Sequence, residues 1–369
     1  MMRNRRIWDL NKRGLMMLFG VLLFCGMLIA CGSETGISAP VEATVSEPPA
    51  SVHLDEIVTP APTEAPTLPP TPTASPVPTP VPTPTPTPSP TPQPQPFTII
   101  WVSDTQNYAF ASDEGLKAIV RYALEHKERD NIVAVVQSGD LVENNGKDEE
   151  WTRIAAAFEP LRGNIPFYCV TGNHDVGTGT GVHAVRKYGY EQYRKYDLCD
   201  VREPEQIYND GECWYQLLEQ ENLLLLGIGW HLDKDDTARM EWLNAVLDRF
   251  AEYPAVIITH SFLYNNGKPA SEGENLENNL ISKHPNVRLL LCGHHRGVRR
   301  LEKTREDGRT FTAVMFNLQA DRKKGNGYCV LITFDPMSRS VWFTSYSPIL
   351  DDYNYQSESK ETFTLKNAY

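Results

Sequence analysis

Five short apolar runs, each followed within a few residues by an acid, an amide or an imidazole, constrain this chain more than any other feature. The runs are residues 99–102, 132–136, 167–170, 255–258 and 289–291. Behind them come Asp104, Asp140, the triplet Asn173-His174-Asp175, His260 and His294. Runs this short and this apolar read as strands of an α/β sheet buried on both faces. Ligands of open α/β sheets gather outside the carboxyl ends of the strands, so five strands would aim these polar residues at one crevice. Nitrogen and oxygen donors in that mixture suit Mn, Fe or Zn better than Ca or a thiolate-bound metal, and the crevice reads as a metal site.

The spacing between the runs alternates with helical periodicity. Leu116, Ile119, Val120, Ala123 and Leu124 give residues 113–128 one buried helical face. Further helices are expected around 149–161 and 236–250, and further strands near 214–218 and 223–228. This alternation predicts parallel strands with helical crossovers. Residues 176–211, rich in Gly, Tyr and charge, read as an insertion with one helix near 182–196. Past His295 the pattern turns to β, at 298–302, 310–318, 328–334 and 340–345, separated by Asp-Gly, Gly-Asn-Gly and Asp-Pro turn signals.

Taken in order, the polar blocks are Asp104-Thr105-Gln106, Gly139-Asp140, Gly172-Asn173-His174-Asp175, His260 and Gly293-His294-His295-Arg296. They resemble the calcineurin-like metallophosphoesterase family, whose pattern is Asp-x-His, Gly-Asp, Gly-Asn-His-(Asp/Glu), a lone His, then Gly-His-x-His. The resemblance begins at Phe97 and reaches into the mid-three-hundreds. It implies an α/β fold of the α+β sandwich kind: two mixed β-sheets flanked by helices, with two divalent metal ions. By that match Asp140 bridges both metals, Asp104 and Gln106 serve the first, and Asn173, His260 and His294 serve the second. His174 is implied to meet the phosphate and protonate the leaving oxygen, with Asp175 orienting its ring. The implied reaction is attack of metal-bound hydroxide on a phosphomonoester or phosphodiester.

Two positions depart from the family pattern, and both concern the first metal. Gln106 stands where histidine is usual, as in an Asp-x-Gln variant, and it still offers a carbonyl oxygen. Arg296 stands where the second His of Gly-His-x-His belongs. Arginine cannot ligate a cation, but it can grip a phosphate through two parallel hydrogen bonds. On an extended backbone Arg296 would share a side with His294, and His295 would face away; a turn there would reverse this.

The first hundred residues carry no core. Arg3, Arg5, Arg6, Lys12 and Arg13 precede an apolar stretch from 15 to 30 that ends in Leu28-Ile29-Ala30-Cys31-Gly32. Residues 1–30 resemble a bacterial lipoprotein signal peptide, with Cys31 as the lipidated residue and an uncleaved signal anchor as the alternative. Residues 31–96 are a disordered Pro/Thr-rich linker, since Thr-Pro repeats cannot bury a core and favour an extended spacer. The resemblances imply a catalytic domain over 97–369, held at the cell membrane on its extracytoplasmic side. Removing the signal takes the net charge from −12 to −16, and so acidic a protein shows no nucleic-acid-binding surface. Cys169, Cys292 and Cys329 read as small core residues, whereas Cys199 and Cys213 flank a polar loop and are candidates for a disulfide. Three functions stay open at this level. One is a surface-anchored metal-dependent phosphoesterase; a second is a lipoprotein that binds a phosphorylated ligand with little or no turnover. A third is a structural cell-surface protein that displays the domain on its Pro-rich stalk and holds no metal.

Overall fold

Alternate residues of the first strand, β1 (Phe97–Val102), enter different cores. Phe97, Ile99 and Trp101 join an apolar layer, whereas Ile100 and Val102 pack among helical residues. This is the two-residue period of a strand buried on both faces, which is why the run lacks polar alternation. The structure is a computed structural model that describes residues 93–177, 189–230, 237–318, 326–353, 355 and 362–368, all within the unit Thr85–Tyr369. The signal segment, Cys31, nearly all of the Pro/Thr-rich stretch, His183 and His231 lie outside the described residues.

After β1 come α1 (Gln106–Phe110), α2 (Glu114–His126), β2 (Ile132–Gln137), α3 (Asp148–Phe158), β3 (Phe167–Cys169), the single-turn α4 (Asn173–Val176) and α5 (Glu191–Tyr196). Next are β4 (Ile207–Tyr208), β5 (Cys213–Leu218), β6 (Leu223–Ile228), α6 (Thr237–Arg249), β7 (Ala255–Thr259), α7 (Ser271–Leu276) and β8 (Val287–Cys292). The remainder is strand: β9 (Gly297–Thr304), β10 (Thr310–Asn317), β11 (Cys329–Asp335), β12 (Ser340–Ser347), β13 (Asp352–Tyr353) and β14 (Phe363–Leu365).

Two mixed sheets result. One has the order β13-β12-β11-β1-β2-β3, with β14 on β12; the other runs β4-β5-β6-β7-β8-β10-β9. β1, β2 and β3 are parallel, as are β6, β7 and β8, and β10 adds to β8 in parallel. β11 lies antiparallel on the other side of β1. Trp101, Val136, Ile258, Leu291, Val314 and Phe334 come from both sheets and fill the layer between them. Outside the first sheet, Leu116, Ile119, Trp151 and Ile154 cover it with α2 and α3. Leu243, Leu247 and Leu276 of α6 and α7 cover the second. The fold is thus the expected one, two mixed sheets flanked by helices.

α2 keeps the expected period: its buried residues include Leu116, Ile119, Val120 and Ala123. Asp148, Glu149 and Glu150 open α3, where negative charge complements the helix N-terminus. The expected helix near 182–196 is described only as α5, because 178–188 lie outside the described residues. The candidate disulfide is not formed, since Cys199 and Cys213 are both free thiols. Cys213 points into the layer with α6, whereas Cys199 packs against the other two cores. His284 is buried, and its Nε2 lies 2.8 Å from Asn244 Oδ1.

Candidate metal centre

Every polar block reappears at a strand's carboxyl end: Asp104 after β1, Asp140 after β2, Asn173 and His174 after β3, His260 after β7 and His294 after β8. The first three come from one sheet and the last two from the other, so the site lies where the two carboxyl edges meet. Asp104, Asp140 and His294 have φ of 53°, 57° and 65°. Non-glycine residues seldom adopt this left-handed backbone, and Asp, Asn and His do so most readily. The motif glycines serve close approach. A Cβ on Gly172 would sit 2.2 Å from Asp140 Oδ1, and one on Gly293 2.1 Å from Asp104 Oδ2.

The donors converge around Asp140. Ligand atoms of Asp140, His260 and His294 lie within 4.8 Å of one another. His260 donates from Nδ1 to the Ser138 carbonyl at 2.9 Å, which leaves Nε2 to face the cluster. That nitrogen is 3.1 Å from Asn173 Oδ1, 3.2 Å from His294 Nδ1 and 3.3 Å from Asp140 Oδ2. Trp230, just past β6, packs its ring on both imidazoles, with centroids 5.9 Å from His260 and 5.3 Å from His294.

Charge in this cluster is expensive to bury, and the ionisation of each group shows it. Burial alone would raise the Asp140 carboxyl, but His260, followed by His174 and His294, holds it well below the usual range. Burial would lower His260, yet Asp140 lifts it to about 9. Burial and then the charge of His260 push His294 down to about 3. Burial carries Asp104 up to about 7, with the charge of Asp140 adding to the rise. Two carboxylates and two imidazoles out of water are costly without a compensating cation.

The first-metal residues are also present. Asp104 accepts the His294 amide with both oxygens, at 3.2 Å each, and the Ser103 hydroxyl. A hydrogen-bond chain continues from Ser103 through Ser138 (2.8 Å) to the buried Trp101 indole (3.0 Å), tying this carboxylate to the core. Gln106 donates Nε2 to Asp140 Oδ2 at 3.1 Å. Its Oε1 is buried without a hydrogen-bond partner. An orphaned carbonyl oxygen among carboxylates is where a divalent cation fits. Arg296 is exposed. The backbone turns at His294, and the half-buried ring of His295 packs beside His294 (4.5 Å between centroids) and Tyr264 (4.9 Å).

The acid dyad differs from expectation. Asp175 is fully buried, but its carboxylate accepts the amides of Gly172 (2.7 Å) and Val142 (3.0 Å), joining the loops after β3 and β2. The group at the His174 ring is Glu143, whose carbonyl is 3.0 Å and carboxylate 3.3 Å from Nδ1. Glu150 of α3 holds that loop by accepting the amides of Glu143 (2.9 Å) and Asn144 (2.8 Å). His174 Nε2 is then left on the side of Asp140 Oδ2, 3.9 Å away. Glu143 was missed in the sequence, although its place three residues beyond Asp140 is a readable signal.

A sandwich of two mixed sheets with carboxylates, amides and imidazoles gathered at their carboxyl edges defines a metal-binding hydrolase class. The chain belongs to the calcineurin-like phosphoesterase family, whose model matches residues 97–295. It is also 26% identical over 286 residues to the uncharacterized protein YvnB of Bacillus subtilis (strain 168), a match covering 73% of this chain and 21% of YvnB. The chain therefore spans about a fifth of that relative's length. Among solved structures it is similar to the purple acid phosphatase PPD1 from yellow lupin (Lupinus luteus) seeds. The TM-score is 0.54 at 15% identity, covering 74% of this chain and 54% of that one. The likeness is one of fold.

Proposed function

We propose that this protein is a surface-anchored, metal-dependent phosphoesterase, hydrolysing phosphomonoesters or phosphodiesters. The observation that carries the reading is the convergence of Asp140, His260 and His294 beside the orphaned Gln106 carbonyl. Asp140 would touch both cations, with Asp104 and Gln106 on one and Asn173, His260 and His294 on the other. When bound, two divalent ions offset phosphoryl charge and acidify water at neutral pH. Every other part falls to the chain itself. His174 donates a proton from Nε2 to the leaving oxygen, and Glu143, in contact with Nδ1, orients the ring. Asp175 fixes the loop that carries His174. Trp230 limits water around the two imidazoles and holds their planes.

The binding-only alternative draws on Gln106 and Arg296. Against it stands the built His174–Glu143 pair, which a binder has little need of. Anchoring through Cys31 is part of the proposal and rests on the lipobox-like sequence. A panel of aryl phosphates, alkyl phosphodiesters and nucleotides assayed with added Mn tests the activity. Hydrolysis that requires Mn supports the enzyme; binding of phosphorylated ligands with no turnover of any panel member supports the alternative. Membrane partitioning of the full chain, lost in Cys31→Ser, tests the anchor.

A further inference from the structure

The loop between β3 and β4 brings two thiols together that play no part in the metal centre. β3 is the edge strand of its sheet, and residues 198–201 cover that edge. The Asp200 amide donates to the Phe167 carbonyl at 2.8 Å, and the Asp200 carboxylate accepts the Phe167 amide at 2.9 Å. Cys199 packs against the core that includes Cys169. Their side chains interact directly, and the amides of Cys169 and Val201 point at the Cys199 sulfur. The Tyr193 hydroxyl closes the group, 3.0 Å from the Cys169 carbonyl and 3.6 Å from its sulfur.

We propose that Cys169 and Cys199 form a disulfide that staples β3, the strand leading into Asn173 and His174, to the segment 198–201. The two positions differ in access. Cys169 is fully buried, whereas Cys199 lines a 590 Å³ cavity beside Arg194, Arg202 and Trp214. A small disulfide oxidant therefore meets Cys199 first. The Cys199 thiolate attacks one sulfur of the oxidant and expels the other as a thiol. The Cys169 thiolate then attacks the Cys199 sulfur of the mixed disulfide and releases the second thiol. Two protein thiols are oxidised, one disulfide is reduced to two thiols, and the protein loses two hydrogens. Cys213 and Cys292 are buried in the layer under α6 and α7, and the Cys329 thiol, in the same core as Cys169, donates to the Tyr346 carbonyl at 3.5 Å; all three stay reduced. The inference is independent of the proposed activity.

The test is peptide mapping of the full chain after exposure to oxidised glutathione, with free thiols alkylated under denaturing conditions. The expected product is a peptide pair joined through Cys169 and Cys199, with Cys213, Cys292 and Cys329 alkylated. Closing a loop of about 30 residues should also raise Tm, on the order of 5–10 °C, and Cys199→Ser should lose both the cross-link and the rise. Cys169 and Cys199 both alkylated after prolonged exposure would overturn the proposal. So would a bond from Cys199 to Cys213, or glutathione retained on Cys199 without closure. The mapping is read on the unmodified sequence, so it stands even where a cysteine variant folds poorly.

Discussion

On the side of the centre formed by Asn173, His260 and His294, each donor is already aimed. The Ser138 carbonyl fixes His260, and Asn173 Oδ1 and His294 Nδ1 lie within 3.2 Å of its free nitrogen. On the side formed by Asp104 and Gln106, the donors are fewer and weaker. Asp104 is drawn toward its protonated form by burial, at about 7. Gln106 spends its amide nitrogen on Asp140, and Arg296, at the position of the missing histidine, is exposed. On the proposed reading, the two cations would be held with unequal strength and joined by Asp140, the difference coming from a neutral amide oxygen in place of an imidazole.

Removing the shared group should have the largest effect. Asp140→Asn is expected to lower hydrolysis by roughly 10³-fold or more, the equivalent of several kcal/mol of lost charge stabilisation. Metal content should fall on both sides while circular dichroism stays unchanged. His174→Ala should retain metal yet lose roughly 10²-fold or more in rate, the usual scale for a general acid. The loss should shrink on nitroaryl phosphates, whose leaving groups need little protonation; an equal loss on alkyl phosphates would mean His174 holds substrate instead. Glu143→Gln is a smaller change, expected at about tenfold, because the carbonyl contact to Nδ1 survives; its signature is a lower kcat with unaltered metal content. Gln106→His should sharpen the comparison by tightening the weaker site, read as less Mn needed for half-maximal rate. Arg296→His should have the least effect on metal affinity, because the turn at His294 carries position 296 outward.

How much of this was legible in the sequence depends on what held each element. β2, β6 and β7 begin and end with their apolar runs because both faces are buried, and burial leaves a compositional trace. The small edge strands β4, β13 and β14 left none, nor did α7, where local pairing replaces a continuous core face. The candidate metal donors were readable as residue types in order. Their partners were not. Asp175 follows His174 directly, but successive side chains on a helical turn point about 100° apart, so its carboxylate meets the loop after β2. Glu143 reaches the imidazole only because β2 and β3 are neighbours. Likewise, Cys199 lies beside Cys169, 30 positions away, rather than near Cys213 on the opposite layer.

A Mn titration of chelator-stripped protein, followed at once by calorimetry and by aryl phosphate hydrolysis, tests the central claim most directly. The expected result is two binding steps of unequal affinity, with hydrolysis rising along the weaker one and both steps lost in Asp140→Asn. Hydrolysis that persists undiminished in chelator, or a protein that binds no Mn at all, would contradict a two-metal centre around Asp140.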